Sequence, residues 1–258
     1  MSFLTVNGIH HTYFTKNQAT TALEDIHLEV KEGEFVSFLG PSGCGKTTLL
    51  SIIAGLFQPT EGQILLENQP ISSKRGDDLS IGYMLQQDYL FPWKTILENV
   101  TLGMRLMQKD KQEAEKHALG LLKDVGLSDV ERQYPSQLSG GMRQRAALAR
   151  TLVTDPKILL LDEPFSALDY QTKLKLEDLV FETLKTFGKT AVLVTHDIGE
   201  AIAMSDRVYL FAANPGKVHK LFNIPDTLRE QSPFSARNHP DYSEVFQTIW
   251  EELESLEH

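Results

Sequence analysis

Apolar positions along this chain follow three different spacings, and each predicts a different element. Near the N-terminus, "SFLTVNGI" (2–9) and "ALEDIHLEV" (22–30) are rich in β-formers, with alternation at Leu23, Ile26, Leu28 and Val30. Such alternation predicts strands with one face buried. Unbroken apolar runs follow at Phe35–Leu39, Ile158–Leu161, Ala191–Thr195 and Val208–Ala212, with shorter ones at Ile64–Leu66 and Ile81–Leu85. Runs without alternation suit central strands covered on both faces, so a parallel α/β core is expected. The middle of the chain changes to helical spacing: "KQEAEKHALGLLKDVG" puts Ala114, Ala118, Leu121, Leu122 and Val125 on one stripe, with Gly126 as the stop. "TTLLSIIAGL", "GMRQRAALARTLV" and "TKLKLEDLVFETLKTFG" are also expected to be helical. Residues 88–153 are therefore expected to form a helical lobe inserted between two parts of the sheet domain. A short amphipathic helix is expected near the end, with Val245, Phe246, Ile249 and Trp250 on its apolar face.

At 258 residues the chain is long enough for one large domain, or for a domain with a sub-lobe. Its net charge of −10 opposes a general affinity for nucleic acid, and no nucleic-acid partner is expected. One cysteine, Cys44, excludes an internal disulfide and a cysteine-built metal cluster, in keeping with a reducing compartment. The start lacks a basic segment followed by a long apolar one, and no run of about 18 apolar residues occurs, so neither export nor a membrane span is expected. The closing "LEH" matches an expression-tag stub, and His258 is given no role.

The chemistry is concentrated in "FLGPSGCGKTTLL" (38–50). Gly40, Gly45, Lys46 and Thr47 satisfy G-x-x-x-x-G-K-[ST] between an apolar strand and a helical run. The strand aims the loop through Pro41, which has no N–H of its own, successive backbone N–H groups across Ser42, Gly43, Cys44 and Thr48 form an anion cradle, and the helix start adds its positive dipole end. Lys46 is expected to reach the outer phosphates of ATP and the Thr47 hydroxyl to meet Mg²⁺. Cys44 has two readings, a thiol nucleophile or an ordinary loop position, and no His or Asp is placed in sequence to activate it. "KILLLDEP" (157–164) ends a second apolar strand in two acids, Asp162 for the metal through water and Glu163 as general base towards the attacking water. "LSGGM" (138–142) offers a hydroxyl and two glycines at the start of a long helix, a second anion site in a chain that already has one.

Taken in order, these motifs make residues 3–222 resemble the ATPase subunit of ABC transporters, whose signature reads LSGGQ. The resemblance implies a P-loop NTPase (RecA-like) α/β core with an N-terminal antiparallel β subdomain and the inserted helical subdomain, occupying 1–222. A C-terminal tail with a short amphipathic helix is left at 223–258. It further implies a head-to-tail homodimer with two ATP molecules at its interface, in which Ser139, Gly140 and Gly141 meet the partner's γ-phosphate. Met142 departs from the family's Gln. Tyr13 matches the aromatic that stacks on adenine, Gln86 the glutamine that meets Mg²⁺ and the attacking water, Asp169 the loop that crosses the dimer interface, and His196 the histidine that bonds the γ-phosphate. Counting back from "LFPW" favours Gln86 over Gln87. The other histidines, His10 and His11 included, lack ligand spacing.

The implied function is ATP hydrolysis coupled to solute import through separate integral-membrane permease subunits, on the cytoplasmic face of the membrane, with an extracytoplasmic solute-binding protein. Phe91 and Trp93 lie where the family's permease helix docks, and packing inside the lobe is the other reading of both. "GYMLQQDYLFPWKTILENV" and the chain length look most like importers of nitrate, sulfonates, taurine and thiamine precursors. Three rival functions fit less well. An ABC ATPase acting on DNA or ribosomes is disfavoured by one motif set and the acidic charge; a non-catalytic subunit, by the presence of Glu163 and His196; a monomeric kinase, by "LSGGM".

Overall fold

The structure is a computed structural model and describes residues 2–16, 18–71 and 80–256. The chain divides into two compact units, Met1–Gly76 with Thr190–His258, and Asp77–Lys189.

In the first unit, β1 (Ser2–Phe14) and β2 (Ala19–Lys31) form a long antiparallel pair, and β4 (Glu61–Leu66) and β5 (Gln69–Pro70) complete a sheet in the order β2-β1-β4-β5. The alternation is realised as expected: Ile26, Leu28 and Val30 are buried, while His27 and Glu29 between them are exposed. β3 (Phe35–Leu39) lies parallel to both β8 (Thr190–Thr195) and β9 (Arg207–Ala212), and β10 (Lys217–Asn223) is antiparallel to β9. Every residue of β3 and β8 is buried, the result expected of unbroken apolar runs. The helices α1 (Lys46–Ile53) and α7 (Ile198–Met204) follow β3 and β8.

The second unit pairs β6 (Ile81–Met84) with β7 (Ile158–Asp162) in parallel and carries α2 (Ile96–Val100), α3 (Leu102–Leu106), α4 (Lys111–Asp124), α5 (Gly140–Leu152) and α6 (Tyr170–Thr186). Helix starts follow capping chemistry. Thr95 and Glu98 form a reciprocal capping box on α2, and the Asp110 carboxylate accepts from the Gln112 and Glu113 amides on α4. The stripe Ala114, Ala118, Leu121 and Leu122 is buried, and the chain turns out of α4 at Gly126 with φ +68°.

The tail contains α8 (Asp226–Arg229), α9 (Pro233–Ala236) and α10 (Tyr242–Ser255). Ile224, Leu228 and Ile249 are buried in one cluster with Leu39 of β3 and Ile198 and Ile202 of α7, and Val245 and Phe246 pack against it. The tail is thus part of the first unit's core. Trp250, expected on the apolar face, is 47% exposed, because Ile249 rather than Trp250 fills the cluster. Ile249→Ala should lower the unfolding free energy by about 2–5 kcal/mol, the range for emptying a fully buried aliphatic site. Urea denaturation followed by fluorescence of the neighbouring Trp250 would measure it, and a change below about 0.5 kcal/mol, the level of an exposed substitution, would mean that the tail is undocked in solution.

Candidate functional site

In the first unit the phosphate loop runs from the end of β3 into α1 under tight steric control. A Cβ at Gly40 would lie 2.6 Å from the Phe211 carbonyl oxygen of β9. One at Gly45 would lie 2.6 Å from Leu23 Cδ2 and 2.8 Å from the Ala22 carbonyl oxygen of β2. Gly45 also holds φ +88°, so glycine is required there for conformation as well as space. It caps α1 without a side chain, which leaves the helix start suited to an anion. Lys46 is 5% exposed, and its ammonium donates to the carbonyls of Gly40 at 2.7 Å and Pro41 at 2.9 Å. The ammonium is also 3.4 Å from the Cys44 sulfur. Cys44 is fully buried with Lys46 as its neighbour, which suits the ordinary loop position and not an accessible nucleophile.

Two further predicted residues join this unit. The Tyr13 hydroxyl lies 3.1 Å from the Thr48 hydroxyl in the first turn of α1, so the end of β1 carries a half-exposed aromatic to the loop. His11 meets the Tyr13 ring edge-on at 4.6 Å between centroids and stacks with Phe57 at 6.4 Å, a support that no sequence spacing disclosed. His196 is exposed, immediately after the last residue of β8.

In the second unit, Asp162 ends β7 and is 5% exposed, with the Tyr83 hydroxyl of β6 at 3.4 Å. Glu163 follows at φ +46°, a left-handed conformation that is uncommon for a residue with a side chain and collects at functional sites. The Gln86 side-chain amide lies 3.3 Å from the Glu163 carboxylate and 3.4 Å from the Ser166 hydroxyl. Gln86 and Glu163, far apart in sequence, are therefore neighbours.

The signature serine caps its helix: Ser139 Oγ accepts from the Met142 amide at 3.4 Å at the start of α5. A Cβ at Gly141 would stand 2.5 Å from the Thr172 methyl of α6, so glycine lets the two helix starts approach. Asp169 caps α6 by accepting from the Thr172 amide, and hydrogen bonds from Thr172, side chain first and then backbone, hold its carboxyl below the usual range. Ser139–Gly141 and Asp169 thus belong to adjoining helix starts.

Three side chains of α5 also tie down residues 86–89, a link the sequence did not reveal. Gln144 donates to the Gln86 carbonyl at 3.3 Å, and Arg150 donates to the carbonyls of Asp88 at 2.6 Å and Tyr89 at 2.8 Å. Arg143 reaches the Asp88 carboxylate at 2.9 Å and the Leu138 carbonyl, next to the signature serine, at 2.8 Å. Burial pushes the Arg150 guanidinium down, and the charge of Asp88 raises it again. Beyond this clamp, Trp93 is 69% exposed and only 5.4 Å from Phe91 between ring centroids, so the indole is not lobe core.

Thr47 and Asp162 offer hard oxygen donors, and among the described residues no group of three or more His, Cys, Asp and Glu is placed to hold a metal. Each is the hard oxygen type that suits magnesium, which keeps water ligands and takes substrate phosphate oxygens, rather than the nitrogen and sulfur ligands typical of zinc.

Comparison with known proteins agrees with this chemistry. The sequence profile described as ABC transporter matches residues 23–166. The ABC transporter ATP-binding protein YtlC of Bacillus subtilis is 61% identical over 257 residues, covering 100% of this chain and 98% of that protein. The taurine import ATP-binding protein TauB of Roseobacter denitrificans is 38% identical over 263 residues, covering 99% and 97%. Among solved structures, a dimeric post-hydrolysis state of the ATP-binding cassette MJ0796, bound to ADP and Pi, superposes with a TM-score of 0.76 at 37% identity, covering 86% of this chain and 99% of that one. The glycine-restricted phosphate loop, the Asp-Glu strand end and the capped signature helix thus come with relatives matched along the whole chain: the protein belongs to the ABC transporter family, as an ATP-binding subunit that hydrolyses ATP.

Proposed function

We propose that this ATPase closes as a head-to-tail pair of identical chains around two ATP molecules and couples their hydrolysis to import of a small sulfonate-type solute through a separate membrane permease. One observation carries the reading: the Ser139-capped, glycine-opened start of α5 is a second helix end suited to phosphate, in a chain whose loop at 40–47 already supplies one. A second phosphate-suited end has a use if it serves the nucleotide of another copy. The dimeric relative with ADP and Pi supports that use, and the likeness to TauB supports the solute class.

In this reading the loop from Pro41 to Thr48 binds the phosphates through the amides from Ser42 onward, Lys46 exchanges its loop carbonyls for phosphate oxygens, and Tyr13 stacks on the adenine. Thr47, Gln86 and, through water, Asp162 would hold Mg²⁺, which when bound would offset the charge developing on the phosphates. Glu163 takes the proton of the attacking water, with Gln86 orienting it, and His196 donates to the γ-phosphate. Ser139, Gly140 and Gly141 bind the γ-phosphate of the partner, and Asp169 lies at the interface. Contacts that only the closed pair makes to the γ-phosphate bias the equilibrium towards closure, and their loss on hydrolysis reopens it.

Residues 1–222 form the ATPase domain with the lobe at 88–153, and 223–258 form the tail. Among the described residues no helix is long and apolar enough to cross a membrane. In this reading the subunit is peripheral, held by the permease on the cytoplasmic face, with a solute-binding protein on the other side. Phe91 and the exposed Trp93 are the apolar anchors offered to the permease.

Lys46→Ala should weaken ATP binding at least about ten-fold, roughly 1.4 kcal/mol, in a fluorescent-nucleotide titration, and unchanged affinity would remove Lys46 from phosphate binding. Glu163→Gln should abolish turnover but keep ATP binding, and light scattering should move from 29.0 kDa to twice that mass only with Mg-ATP. A variant that binds ATP yet stays monomeric would count against the shared-site pair, and retained turnover against Glu163 as base.

A further inference from the structure

His196 stands on a turn rather than on a strand or helix, so whatever holds that turn holds the histidine. On its inner side the turn is tied by its own residues. The Asp197 amide donates to the Thr195 hydroxyl at 3.0 Å, the Asp197 carboxylate accepts from the Glu200 amide at 3.1 Å, and the Thr195 hydroxyl donates to the buried Glu200 carboxylate.

Its outer side is covered by the tail. A Cβ on Gly199 would lie 3.0 Å from the Tyr242 hydroxyl, 3.0 Å from Asp197 Oδ1 and 3.9 Å from Arg237 Nε. Two side chains from α10 and the end of α9 therefore converge on the backbone three residues beyond His196, at a position where an added methyl would press on the Tyr242 hydroxyl. The contact is anchored below, because Ile198 shares its buried cluster with Leu228 and Ile249, and the Tyr242 ring packs on that cluster. Arg237 is itself steadied by donating to the Pro233 carbonyl at 3.2 Å. The cluster also includes Leu39, the residue before Gly40, so one packed unit supports the phosphate loop and the histidine turn.

We infer that the C-terminal tail is a positioning element for hydrolysis, in which Tyr242 and Arg237 brace Gly199 in the first turn of α7 and so fix the turn before it that carries His196. This rests on the role given to His196 under the proposed function. The tail is then no passive extension: ATP binding belongs to the loop, and the alignment that turns bound ATP over depends on residues more than 40 positions downstream of the histidine.

The test is single-turnover ATP hydrolysis by the full chain, together with KM for ATP and the melting temperature, for Tyr242→Phe, Gly199→Ala, His196→Ala and the double variant His196→Ala/Tyr242→Phe. Tyr242→Phe keeps the ring in the cluster and removes only the hydroxyl. It should lower kcat by at least about five-fold with KM within about two-fold, because small misplacement of a group at the reacting phosphate is expensive. Gly199→Ala should do the same, and Tyr242→Phe should add nothing once His196 is alanine. Glu252→Gln, which loosens the Lys220 and His219 contacts of α10, should leave kcat unchanged. Unchanged kcat in both Tyr242→Phe and Gly199→Ala, or a loss that persists in the His196→Ala background, overturns the brace alone. Full turnover by His196→Ala removes the histidine's role, and the brace falls with it.

Discussion

No side chain fits at Gly40 or Gly45, and the rest of the first unit is arranged around that restriction. The Gly40 backbone lies against the Phe211 carbonyl of β9 and the Gly45 backbone against Ala22 and Leu23 of β2, so the loop touches both sheets of its unit through bare backbone. Gly216, just before β10, repeats the device: a Cβ there would come within 2.2 Å of the Cys44 carbonyl. Its backbone bonds with Ala22 and Glu24 join that turn to β2. With the loop held on three sides, the Lys46 ammonium can be buried, since two loop carbonyls satisfy it. Charged hydrogen bonds of this kind contribute about 1.5–3 kcal/mol each, enough to hold the loop in shape and weak enough to be exchanged for phosphate.

The second unit solves a different problem by the same economy of contact. Its long helix α5 presents the signature at one end and grips residues 86–89 with Gln144, Arg150 and Arg143 along its side. Arg143 alone spans the Asp88 carboxylate and the carbonyl that precedes Ser139. A displacement of the glutamine loop must then move the signature, or break charged hydrogen bonds that are partly shielded from water. The left-handed backbone at Glu163 belongs to the same design: it turns the carboxylate towards Gln86 at some conformational expense, which the buried Leu159–Asp162 strand beneath it can bear.

Within the first unit, the apolar cluster of Leu39, Ile198, Ile202, Leu228 and Ile249 joins the loop, the histidine turn and the tail. Close-packed interiors transmit displacement instead of absorbing it, so a tail seated in such a cluster shares the fate of the loop and turn that it supports. The same packing explains why Trp250 stays half exposed while its neighbour Ile249 is covered completely: a helix turns only one stripe inward, and that stripe runs through Val245 and Ile249.

Local chemistry in the sequence was enough for much of this protein. The strand runs, the stripe on α4, the stop at Gly126 and the loop at 40–47 each depend on residues within one turn or strand of one another, and their physics is local. The sequence left out β10, α7, α8 and α9: β10 is a largely exposed strand that depends on its pairing with β9, and the three short helices bury residues against the core. It named Gln86 and Glu163 separately but could not bring the amide to 3.3 Å from the carboxylate, nor show Arg143 reaching back to Asp88. It left Cys44 open between two readings that only burial against Lys46 could separate. The sequence by itself determined which residue types stand in each motif, because a glycine, a lysine or a paired acid brings its properties wherever it is placed. The tertiary structure decided which of them are neighbours and that the tail belongs to the core, because contacts between distant residues are set by packing, which no local spacing encodes.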